Sequence, residues 1–228
     1  MTPNDQPLSQ EDETKAKVAE AVGRNENIRR QVRDIVIEAL AKKSVDRDSV
    51  KNTMDAVLEG AIDAAPEDQK ELAEVLKKTV DGMEEALAKA AEASKLAVEE
   101  SGGRLDSFAE QDLKAAAEDL KDLEALFLQT LKDLADSGHA TVGTLLRDAV
   151  NHAERTGTDI GRAVQEALEA LHGPLSRAAR PHLADVERAG KAGTASLASI
   201  ASGILAGIAE SLKAEPEENR EPGENKDG

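Results

Sequence analysis

LAEVLKKTVDGMEEALAKAAEASKLA, Leu72–Ala97, is the stretch on which the fold turns. Leu72, Leu76, Val80, Met83, Leu87, Ala90, Ser94 and Ala97 recur at steps of three and four. That is the spacing of one helix face, and near that of a coiled coil. Pro66 suits the first position of such a helix, with Glu67 and Asp68 favourable in its first turn. Gly102 and Gly103 stop it after Ser101. At about 1.5 Å per residue the helix is roughly 50 Å long. The second half of its seam is Ala and Ser, so a helix packing there must come close.

The rest of the chain repeats this texture. Among 228 residues there are two aromatics, Phe108 and Phe127, and no Trp, Tyr or Cys. Helices so poor in rings bury themselves through Leu, Ile, Val and Ala, and each Ala removes little apolar area from water. Slim side chains predict tightly nested rods and no roomy cavity for chemistry. The net charge of −17 repels nucleic-acid phosphates and disfavours anionic membranes. Absence of Cys removes disulfides, thiolate metal sites and Cys nucleophiles, and fits a reducing compartment. Met1 to Lys15 carries Asp5, Glu11, Asp12 and Glu13 and no apolar run, unlike a secretory signal. A cytoplasmic location is the expectation.

Four segments follow from the pattern: a disordered lead (1–8), N-terminal helices including a hairpin (9–65), a long-helix bundle (66–213) and an acidic disordered tail (214–228). Ser9 caps a first helix reaching Val22, ahead of Gly23. Ile28, Val32, Ile35, Val36, Ala39 and Leu40 give the next an apolar face ending near Lys42 and Lys43. Ser44 or Asp46 caps a third, with Val50, Met54, Val57, Leu58 and Ala61 inward. A helix from about Leu105 to Ala135 presents Phe108, Leu113, Leu120, Leu123, Phe127 and Leu131. Another spans Ala140 to Leu171, weakened at Gly157 and Gly161, where a bend or close crossing is expected. Gly173 and Pro174 punctuate. A last helix covers about Asp185 to Leu212. The fold class is all-α: an elongated bundle of long antiparallel helices and helical hairpins, packed through Ala.

Several blocks carry a resemblance: Val32–Leu40, Asp48–Ala61, Ala90–Glu100 and Gly157-Thr158-Asp159-Ile160-Gly161. Together they resemble an uncharacterised family of long-helix proteins from proteobacteria, over roughly Asn25 to Val186. The resemblance implies a helical fold and no activity. In composition alone the chain is also similar to phasins, the amphipathic helical proteins that coat storage-polyester granules.

Chemical motifs are sparse. Glu169 with His172, and Asp136 with His139, are carboxylate–imidazole pairs three residues apart, the spacing used by di-metal bundles. Both sit at expected helix ends, where a histidine favourably meets the helix dipole, and this capping role is the preferred reading. Asp148 and His152 make an i,i+4 pair typical of a surface, and His182 lacks a partner set. No phosphate loop or nucleophile triad is recognisable. No catalytic, cofactor-binding or metal residue is therefore assigned.

The sharpest feature is Ala192 to Ala209, which carries no charge. Leu197, Ile200, Ile204 and Ile208 form one stripe, and Ala195, Ser199, Gly203 and Gly207 another. A membrane span is disfavoured by the Ser and Gly content and the missing aromatic belt. Close helix packing on both stripes is preferred. The functional expectation is a non-enzymatic scaffold or protein–protein interaction protein. It would form a homo-oligomer or bind a helical partner, without nucleic acid or cofactor. The alternatives are a phasin-like coat on granule or membrane surfaces, and a di-metal carboxylate enzyme.

Overall fold

A computed structural model describes residues 9–42, 46–100, 110–137, 140–178 and 197–214. These form eight helices with no strand among the described residues: α1 (Gln10–Arg24), α2 (Ile28–Ala41), α3 (Arg47–Ala64), α4 (Gln69–Glu100), α5 (Glu110–Asp136), α6 (Ala140–Thr156), α7 (Asp159–Ala178) and α8 (Leu197–Ala214). The all-α bundle is as expected. The expected lead and the tail beyond Ala214 lie outside the described residues, as do Leu105, Phe108, His139 and His182.

Local chemistry sets the ends. The Asp12 N–H donates to Ser9 Oγ at 3.1 Å, and the Ser49 N–H to Asp46 Oδ1 at 2.9 Å, each satisfying an orphan donor of a first turn. Asp68, rather than Pro66, starts α4, accepting from the N–H groups of Lys70 and Glu71 at 2.9 and 3.0 Å. Asn25 closes α1 with φ 52°, a left-handed conformation that Asn tolerates.

α4 stands at the centre. Its contacts with α2 and α7 are the most extensive in the molecule, and α3, α6 and α8 also rest on it. Leu76, Val80, Met83, Leu87, Ala90 and Ala97 of the predicted seam are buried, and so are Val75, Ala86, Ala88, Ala91, Ala93 and Val98. This is the burial of a core helix enclosed on most sides, wider than the stripe of a coiled coil. One apolar cluster draws residues from all eight helices, with Phe127, Ile37, Leu58, Met83 and Leu131 among its largest fully buried side chains.

Close approach comes from glycines inside the bundle. A Cβ on Gly60 would lie 2.5 Å from the Lys15 carbonyl oxygen, one on Gly82 2.5 Å from that of Arg29, and one on Gly143 2.5 Å from that of Ala135. These mark where α3 crosses α1, α4 crosses α2 and α6 crosses α5. Ion pairs tie the outer surfaces: Lys15 reaches Glu59 and Asp63 at 3.2 and 2.8 Å, and Arg33 reaches Glu85 at 2.9 Å.

Direction varies between pairs. α5 and α6 are antiparallel, since Arg147 donates to the Ala135 carbonyl while Lys132 meets Glu154. α4 and α7 run the same way, since Glu84 meets Asp159 and Lys95 meets Glu166. The expected Ala140–Leu171 helix is two helices, broken at Gly157, whose φ of 77° no ordinary helix accommodates. Conversely, α7 continues through Gly173 and Pro174 to Ala178. Pro174 removes one helical hydrogen bond, but it and Leu171 are buried, so tertiary contacts hold the helix across it.

Candidate functional site

The most elaborate polar construction lies at the α6–α7 junction. The Gly157 N–H still bonds to the Ala153 carbonyl at 2.8 Å, and the chain then turns left-handed. Thr158 is buried and its hydroxyl accepts from the Gly161 N–H at 2.8 Å, capping α7. The same hydroxyl donates to the Glu124 carboxylate of α5. Glu84 of α4 accepts from the Asp159 N–H at 2.8 Å. Two carboxylates from two other helices thus grip the positive end of α7, where anions are favoured. A Cβ on Gly161 would lie 2.7 Å from the Glu124 carboxylate, so glycine is what lets that carboxylate approach. Of the bend or close crossing expected around Gly157 and Gly161, the break falls at Gly157, and what approaches Gly161 is the Glu124 side chain and not a backbone. No local pattern marks Glu84 or Glu124, which lie 75 and 34 residues from their partners.

Beside this junction is a cleft of about 510 Å³ between α4, α5 and α6. The expectation of no roomy cavity is therefore corrected. The cause is the break at Gly157: α7 lies closely along α4, whereas α6 touches it only lightly. Leu76, Val80, Phe127, Leu131, Leu145 and Leu146 form an apolar floor. Asp81, Glu84, Asp148 and Asp159 rim it, with Lys77 and His152.

Lys77 neutralises Asp81 at 2.6 Å, and Arg162 meets Asp159 at 2.9 Å. Glu84 and Asp148 form an ion pair with no Lys or Arg among the described residues. Burial raises the pKa of Glu84 above the ordinary carboxylate value; the Asp159 N–H partly opposes this, and the charges of Asp159 and Asp81 reinforce it. The cleft is thus apolar below, acidic above, and short of positive charge.

The residues singled out in the sequence are placed differently. Ala195 lies outside the described residues, as do the side chains of Leu197, Ser199 and Ile200. α8 turns Ala201, Leu205 and Ala209 into the core against α2 and α4, with Ile204 and Ile208 half-buried beside them. Gly203 and Gly207 are exposed, and a Cβ on Gly203 would meet no described residue within 4 Å. Among the described residues the aliphatic side of α8 is covered, and none packs against Gly203.

Glu169 and His172 are both exposed on α7, and Asp136 is exposed at the end of α5. Among the described residues no group of three or more His, Asp or Glu side chains is arranged to hold a metal ion. Likewise no described helix is long and apolar enough to cross a membrane.

No curated protein and no solved structure matches the chain. A family model matches residues 4–214, a wider span than the Asn25–Val186 blocks suggested, and the junction Gly157–Gly161 lies within it. The chain belongs to the family of unknown function DUF6781.

Proposed function

We propose that this chain is a non-enzymatic interaction protein that self-associates through the outward face of α8. One observation carries the reading: Gly203, Ala206 and Gly207 are exposed on an uncharged stretch of α8, and a Cβ on Gly203 would meet no described residue within 4 Å. The fold already uses glycine for helix crossings at Gly60, Gly82 and Gly143, each occupied by a neighbouring backbone. At Gly203 no described neighbour fills the corresponding space. A second copy related by a two-fold axis supplies one, since a self-complementary face needs no other partner. We place the protein in the cytoplasm, consistent with its cysteine-free composition.

Sedimentation velocity at micromolar concentration tests this. The expected species is a dimer that Ala206→Arg converts to monomer with unchanged helicity. A monomer throughout the concentration range refutes it.

A coat on granules or membranes is the second reading, because half-buried Ile204 and Ile208 flank the same face. Flotation with vesicles or polyester beads separates the two. The inward placement of Leu205, fully buried, leaves that face few large anchors for an apolar surface.

A further inference from the structure

We propose that the cleft between α4, α5 and α6 binds a small amphiphilic cation: an apolar chain or ring bearing one amine or guanidinium head. The site lies away from α8, none of whose residues lines it, so it stands or falls independently of self-association.

Size comes first. A cleft of about 510 Å³ lies within the range of small-molecule sites, roughly 300–1,000 Å³. Its α4 wall runs from Ala73 to Glu84, about 16 Å at the helical rise. The occupant is therefore longer than a metal ion or simple ammonium, and smaller than a protein segment of several helical turns.

Polarity comes second. Leu76, Val80, Leu145 and Ala149 offer aliphatic contact over most of the wall, which asks for an apolar body. The rim asks for a positive head. Four carboxylates face one lysine and a histidine across the opening, and that lysine is already engaged by Asp81. Glu84 is held in place because its Oε1 accepts the Asp159 N–H, while its Oε2 takes no hydrogen bond from the described residues. A pre-positioned carboxylate with one oxygen to spare, above an apolar floor, is complementary to an ammonium on an alkyl chain. Anions are repelled by the same rim, and neutral molecules leave Glu84 and Asp148 without a counter-charge.

Isothermal titration of the full chain with n-octylammonium, n-octanol and n-octanoate tests the assignment at constant chain length. One octylammonium per chain is expected, bound about fivefold or more tighter than octanol, the gain of a single partly exposed ion pair. Octanoate should bind weakest. Glu84→Gln with Asp148→Asn, near-isosteric changes, should abolish the preference for the ammonium and leave octanol binding intact. Ala149→Leu, which fills the cleft, should weaken both. Equal binding of the three probes, no binding, or an ammonium preference surviving the double amide substitution would overturn the proposal. Several octylammonium ions per chain, unaffected by Ala149→Leu, would do the same, since they report only the overall negative charge.

Discussion

Gly82→Ala sets two forces against each other at the crossing of α2 and α4. Alanine gains about 1 kcal/mol of helix propensity over glycine in a helix interior. Here, however, the new methyl would lie 2.5 Å from the Arg29 carbonyl oxygen, 3.1 Å from Val32 Cβ and 3.2 Å from the Arg33 backbone nitrogen. None of these is the tip of a flexible side chain, so the two helices must separate. Overpacking of this kind costs about 1–3 kcal/mol. Separation also stretches the Arg33–Glu85 contact, now 2.9 Å, across the same junction. We expect the repulsion to exceed the gain, for a net loss of about 1–2 kcal/mol.

The same substitution at Gly203 meets no described residue within 4 Å and should keep its full gain of about 1 kcal/mol in the monomer. For a chain of this size each kcal/mol moves Tm by about 2–4 °C. Urea unfolding followed by circular dichroism, at dilutions where the chain is monomeric, reads both. The midpoint should fall for Gly82→Ala and rise for Gly203→Ala at constant slope. A Gly82→Ala protein as stable as the parent would refute the close-crossing argument.

Thr79 is fully buried in α4 and its hydroxyl has no hydrogen-bond partner among the described residues, so Thr79→Val should stabilise by about 1 kcal/mol; a lower urea midpoint would show that the hydroxyl is satisfied. Burial works against the ionised form of Glu38, yet hydrogen bonds from Lys42 and Lys17 overcome it and lower its pKa from 4.5 to about 2. Because the folded pKa lies below the ordinary one, this contribution is complete above about pH 4.5 and disappears as pH falls towards 2. The lysines are partly exposed, which limits it to about 1 kcal/mol. Glu38→Gln should therefore destabilise at neutral pH and make no difference near the lower limit, and an equal loss at both, by urea titration, would contradict the linkage.

Sequence periodicity recovered the helices because nearly every apolar residue serves a local 3.6-residue pattern. Ser9, and Asp46 as one of two candidates with Ser44, were legible as caps because capping is chemistry within four residues. Pro66 and Pro174 misled in opposite directions. Asp68 out-competed the first as a helix start, and burial of Leu171 and Pro174 carried α7 past the second. The cleft was not legible, since it depends on how far α6 leans from α4, and periodicity carries no such distance. Glu84 and Glu124 look like any other acid in a chain rich in them; only folding brings them to one helix end. The glycines at the crossings escaped notice for a related reason. Gly203 and Gly207 stood out by their regular spacing, whereas the crossings use Gly60, Gly82 and Gly143, each isolated in its own helix.

The central place of α4 has a consequence for synthesis. α2 is complete at Ala41, but the helix that covers it most extensively is not finished until Glu100, and α7 follows only at Ala178. A ribosome making this chain must therefore release the Val32–Val36–Leu40 surface well before its cover exists. Fragments ending ahead of α4 would carry that greasy strip into solution and should clump or engage chaperones, while the whole chain stays dispersed.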